Sequence, residues 1–155
     1  MLWVALALAS LVTMERVFQA DLEDGALDLW AQVDAPLSSI AAAKIFAHWL
    51  ASGLPLALLT PILGGALQME PAKMLPAACI YALGGLAFYF WGAFGAALST
   101  TVRRGGLLIA LIALPFYLPT AIFGALALSS PETFPPELIW LMASTLFALL
   151  SLIHI

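Results

Sequence analysis

Charge is what this chain most lacks. Asp, Glu, Lys and Arg make up only 9% of its 155 residues, where a soluble domain carries about 25%. Hydrophobic residues reach 64% and mean hydropathy is +1.07; no water-soluble architecture hides that much apolar surface, so lipid is the solvent for most of it. Basic residues are scarcer still, five in all and scattered, which excludes a phosphate-tracking patch and with it a nucleic-acid partner. The net charge of −4 says little more, because the few charges cluster. Cys79 stands alone, so no internal disulfide forms, and its apolar surroundings predict a buried, inert side chain. Motifs for chemistry are missing too. There is no GxSxG, no HExxH and no Walker loop, and no His, Cys, Asp and Glu spacing for a metal. No block between the charges holds two carboxylates, which disfavours an intramembrane aspartyl protease, and none holds a mid-span acid, which disfavours a proton relay. The chain reads as a non-enzyme that cannot hydrolyse ATP by itself.

What is there is a series of uncharged blocks: 1–14, 45–69, 74–102, 105–131 and 138–155. A bilayer core about 30 Å thick takes about 20 helical residues. The three middle blocks are long enough, the last barely so, and the first is too short. Continuous apolarity without alternation excludes a transmembrane barrel, and backbone groups in lipid must be satisfied within the segment. The expected fold is therefore an all-α integral membrane protein. A single transmembrane domain covers 1–155, with about five spans: 1–14 (partial), 40–69, 74–100, 105–129 and 137–155. Within 1–14, "ALALAS" resembles a cleavage site, but no basic region precedes it, so the block reads as the C-terminal part of a membrane helix. Pro55, Pro61, Pro115 and Pro119 should kink or break helices. Gly64-Gly65, Gly84-Gly85, Gly92 and Gly95 offer small surfaces for close packing, or, as a lesser alternative, a substrate path. Trp49, Trp91 and Trp140 suit interface or packing positions. Arg16 and Lys44 lie in one loop, Arg103 and Arg104 two loops later, and Lys73 in the loop between; the side with four basic residues should be cytoplasmic. This puts 15–44 and 103–104 in the cytoplasm and the short, proline-rich turns "QMEPAKM" and "SSPETFPPE" outside.

One stretch, Glu15 to Lys44, holds eight of the fourteen charged residues. Its first half predicts an amphipathic helix over 15–30, with Phe18, Leu22 and Leu29 on one face and Glu15, Gln19, Glu23 and Asp24 on others. Gly25 should bend or end the first piece. Pro36 breaks the chain, and a new helix should start at an N-cap of Ser38 or Ser39. The segment reads either as a solvated connector along the bilayer surface or as a docking element. Interfacial helices normally carry Lys and Arg toward anionic lipid; residues 15–30 carry five acids and one Arg, which suits a basic groove on a soluble partner better. His48, one helical turn after Lys44, reads as an interfacial histidine, with a ligand or haem contact as the lesser alternative. Arg103 and Arg104 read as positive-inside anchors or as a second cytoplasmic contact.

Three longer stretches carry a resemblance: "ERVFQADLEDGAL", "AKIFAHWLASGLPLALLTP" and "RRGGLLIALIALPFYLPTAIFG". Together they resemble the haem exporter protein B (CcmB) family over about residues 2–128. The resemblance implies an ABC-2-type permease fold acting with a soluble CcmA-like ATPase that binds the ATP. It implies CcmC-like and CcmD-like haem-handling membrane subunits, a CcmE-like haem chaperone, a permease homodimer, and a bacterial inner-membrane location. ATP hydrolysis would be coupled to haem handling or to release of the haem-loaded chaperone in cytochrome c maturation. Haem is then a handled substrate, with no cofactor held by this chain. In such permeases an interfacial helix docks in a cleft of the ATPase; the matching residues here are Phe18, Asp21, Leu22, Glu23, Asp24, Gly25 and Leu27, with Arg103 and Arg104 as the second contact. Family members have six spans. The first, with its cytoplasmic lead-in, has no counterpart here, and the tail stops early, so a truncated chain beginning inside the second helix is expected. The competing functions are a generic ABC-2 exporter of a lipid, drug or polysaccharide, and an assembly scaffold.

Overall fold

A computed structural model describes residues 2–14, 17–66, 68–99, 105–130 and 135–153. Among these there is no strand. The helices are α1 (Leu2–Met14), α2 (Gln19–Glu23), α3 (Ala26–Trp30), α4 (Leu37–His48), α5 (Leu54–Ala66), α6 (Pro71–Ser99), α7 (Gly105–Ser129) and α8 (Glu137–Ile153), with a π-turn, Trp49–Gly53, joining α4 to α5. Among the described residues four stretches are long and apolar enough to cross a membrane: Leu2–Glu23, Leu37–Ala66, Pro71–Ser99 and Leu111–Ser129. The first exceeds the predicted fourteen-residue block because it runs on into α2. At 17 residues, α8 rises roughly 25 Å, less than a hydrocarbon core about 30 Å thick. Val12, Ile62, Leu75, Leu111 and Ile139 are each more than two-thirds exposed, a surface only lipid satisfies.

The centre of the bundle is α6, which packs against α1, α5, α7 and α8. Lipid is as apolar as leucine, so such helices associate through packing and hydrogen bonds rather than through the hydrophobic effect. Here the packing is aromatic. Trp3 of α1 lies between α6 and α7, with its ring against Tyr81 and Phe88. Its Nε1 donates to the Ala121 carbonyl at 2.9 Å. A Cβ on either Gly84 or Gly124 would land inside that ring. Of the glycines expected to serve packing, Gly84 does so here, and what it admits, together with Gly124, is a side chain rather than a neighbouring helix backbone. Gly92 likewise makes room for the Tyr117 hydroxyl, 2.7 Å from where its Cβ would be. That hydroxyl donates to the Phe88 carbonyl at 2.8 Å and meets Ser10 Oγ at 3.1 Å. Trp91 is buried in a stack on Phe116, with centroids 4.7 Å apart. Trp140 is exposed beside Phe123.

Several local expectations give way. Pro61, Pro115 and Pro119 lie inside α5 and α7 without ending them; a membrane helix tolerates proline where neighbours and side chains re-satisfy the freed carbonyls. Ahead of Pro55, which has no N–H to donate, the chain loosens into the π-turn, and Leu54 N–H reaches back to the Trp49 carbonyl. Neither Ser38 nor Ser39 caps α4. The helix starts earlier, at Leu37, because extended Pro36 offers its carbonyl to the Ser39 N–H at 2.9 Å and the Ser39 hydroxyl at 2.7 Å. Cys79 faces outward rather than inward: it sits on the lipid side of α6, between the buried Ala78 and Ile80. The turn after α5 closes on Gln68, at φ +58, with Met69 N–H returning to the Gly64 carbonyl at 2.8 Å.

Candidate functional site

The charged segment is two short helices rather than one. Gly25 adopts φ +74, a left-handed conformation that separates α2 from α3 at little cost only in glycine. Phe18 does not share the predicted face with Leu22 and Leu29, because it lies in the turn before α2 rather than within a helix. Phe18 turns inward with Val17 and is 5% exposed, while Leu22 and Leu29 are 48% and 64% exposed. As a candidate contact Phe18 is therefore withdrawn: its ring belongs to the chain's own core. Glu23, Asp24 and Asp28 are exposed, and Gly25 and Leu27 are half-buried. Gln19 Nε2 donates to Glu23 Oε1 at 3.1 Å, along the helix surface. What faces outward is thus a small surface of Leu22, Glu23, Asp24, Asp28 and Leu29, acidic with two apolar anchors.

Asp21 is not part of that surface in the same way. Among the described residues the one ion pair joins Asp21 to Lys44 of α4, with side chains 14% and 25% exposed. Lys44 Nζ also donates to the Val17 carbonyl at 2.8 Å and sits 5.4 Å from the centre of the Trp30 ring. One ammonium therefore joins the turn after α1, the α2 carboxylate and the end of α3. Along the sequence Lys44 is one inside charge among several, and no local pattern marks Trp30. The available signal was the ratio itself: one lysine faces a segment of five acids. The pairing partner was invisible because it lies 23 residues away.

Neither α2 nor α3 contributes a fully buried residue. They rest on the bundle through Val17, Phe18 and Lys44. Below Lys44, α4 ends at His48, whose carbonyl accepts from Ser52 Oγ at 2.7 Å; the same hydroxyl lies 2.6 Å from Tyr89 Oη of α6. His48 is half-buried at the junction between α4 and the π-turn, away from the acidic surface. Arg103 and Arg104, like Glu15 and Arg16, lie outside the described residues. Among the described residues no three His, Cys, Asp or Glu side chains converge to hold a metal ion.

Residues 1–153 match the family model described as CcmB protein. Over 126 residues the chain is 47% identical to heme exporter protein B of Bradyrhizobium diazoefficiens, covering 81% of this chain and 57% of that protein. Over 125 residues it is 48% identical to heme exporter protein B of Paracoccus denitrificans, covering 80% and 57%. The protein of the same name from Pseudomonas aeruginosa is 40% identical over 153 residues, covering 96% and 68%. The chain thus spans little more than half the length of the first two of these relatives.

Proposed function

The chain belongs to the CcmB family, an all-α, ABC-2-type membrane permease, and from that footing we propose that it couples a separate ATPase to haem handling in cytochrome c maturation. In this reading a CcmA-like subunit binds and hydrolyses ATP. Its movement enters the membrane helices through α2–α3, on the cytoplasmic face of a bacterial inner membrane. The output is haem handling or release of a haem-loaded CcmE-like chaperone, with CcmC-like and CcmD-like subunits in the complex and a second permease copy beside this one. Haem is substrate throughout. The generic ABC-2 exporter remains the second reading.

The observation that supports docking at α2–α3 most directly is the outward surface itself. Leu22 and Leu29 are exposed apolar anchors set among Glu23, Asp24 and Asp28. An acidic rim repels an anionic leaflet, and apolar anchors within a charged ring are the usual make-up of a protein contact. The surface is offered by helices without a fully buried residue, so it can be gripped without disturbing the packed bundle. The test is charge reversal. Glu23→Lys with Asp24→Lys should abolish co-purification of the ATPase while membrane insertion stays intact. Unchanged recovery of the ATPase would remove α2–α3 as the docking site. Haem export and chaperone release are separated by asking whether ATP drives haem across the membrane of vesicles holding the purified complex.

A further inference from the structure

We infer that Lys44 is the positioning residue through which force on α2–α3 reaches the membrane helices; this rests on the docking reading above. A short helix without a fully buried residue transmits little unless something rigid connects it. Phe18 and Val17 hold the start of the segment, but α3, with Asp28 and Leu29, lies beyond the bend at Gly25. The link across that gap is the Lys44 side chain, which engages α2 through Asp21, the preceding turn through the Val17 carbonyl, and the far end of α3 through Trp30. A charge-assisted contact fixes direction better than apolar contact does, because it fails when its geometry changes. The pair is half-sheltered, so its attraction is less screened than that of a surface pair.

The inner end of the link is built for movement. Lys44 lies one turn before the π-turn at Trp49–Gly53, and π-turns inside helices recur at functional sites. Trp49 sits against the π-turn's own Gly53 and against Gly85 of α6. Its indole Nε1 is buried and has no hydrogen-bond partner among the described residues, so the ring is packed but not locked. The Ser52–Tyr89 hydroxyl contact carries the same junction to α6. A displacement of α2–α3 therefore pulls on α4 through Lys44 and is taken up where α4 meets the loosened turn, next to the central helix.

The test uses the permease–ATPase complex in nanodiscs. Lys44→Met keeps the aliphatic stem and removes the three donors. A second variant, Lys44→Asp with Asp21→Lys, restores an ion pair with its sense reversed. Amide exchange over residues 19–30 should quicken at least tenfold in Lys44→Met and return most of the way in the reversed pair. Spin labels on Leu58→Cys in α5 and Leu118→Cys in α7, in a Cys79→Ser background, report whether trapping the ATPase with a non-hydrolysable nucleotide shifts the distance between the two helices. The expected result is a shift with native Lys44, no shift in Lys44→Met although the ATPase still co-purifies, and recovery in the reversed pair. A shift that persists in Lys44→Met, or no shift with native Lys44, overturns the inference and leaves docking intact. Failure of the ATPase to co-purify with native Lys44 overturns the docking reading and the inference with it. If Lys44→Met does not insert, the reversed pair decides: a full shift supports the link, and none overturns it.

Discussion

Helix α6 and the α2–α3 pair are held by opposite means. Around α6, aromatic rings fill the spaces that glycines leave: Trp3 against Gly84 and Gly124, Tyr117 against Gly92, Trp49 against Gly85. Each contact depends on shape, and none on charge. The α2–α3 pair has no fully buried residue; the turn at Val17 and Phe18 anchors its start, and one ammonium ties down the rest. The difference separates a tightly packed bundle from a segment left open to the outside. Close packing tolerates no added atom. A tethered helix accepts changes over its whole outer face, provided the tether and the bend remain.

Alanine substitutions of glycine break this comparison most sharply. Gly84→Ala and Gly124→Ala should each destabilise the bundle by about 3 kcal/mol, the upper part of the range for overpacking. The Trp3 ring cannot swing away from one glycine without meeting the other. Reversible unfolding in bicelles measures this, and a double-mutant cycle with Trp3→Leu should return a coupling of about 2 kcal/mol. Gly25→Ala involves no clash, since nothing lies within 4 Å of the added Cβ. It should cost about 1 kcal/mol through the left-handed backbone alone, and amide exchange should register it over 19–30 rather than over the bundle. Tyr117→Phe removes the hydroxyl contacts to Phe88 and Ser10. Interhelical hydrogen bonds in membranes average about 0.6 kcal/mol, so unfolding should shift by about that much. Glu23→Gln with Asp24→Asn should move stability by less than about 0.5 kcal/mol while still weakening recovery of the ATPase. A large loss of stability there would mean that the acidic surface is structural and that the two regions differ less than described.

Much of this was legible in the residues. Uncharged blocks between charges marked the helices, because a peptide group in lipid has no other partner than its own helix. The acidic excess of 15–30 marked the exposed surface, and Gly25 marked its bend. Phe18 was misplaced because the helical period of Leu22 was carried back to it; the residue lies in the turn ahead of α2, where that period does not yet apply. Pro61, Pro115 and Pro119 do not end their helices, because in a membrane neighbouring helices and side chains re-satisfy the carbonyls that proline frees. The seat of Trp3 was beyond reach, since it is set by two glycines 40 residues apart on different helices.

The sequence by itself determined that the chain lies in lipid, that it is helical, that one segment stands apart from the membrane blocks, and, through long shared motifs, its family. These follow from composition and from order along the chain, which local physics reads directly. Only the tertiary structure decided which aromatic fills which glycine gap, which leucines of the charged segment face out, and that a lysine on α4 holds Asp21 and Trp30. Those are meetings between residues far apart in the chain, chosen by shape and by charge at short range, and no spacing along a single helix encodes them.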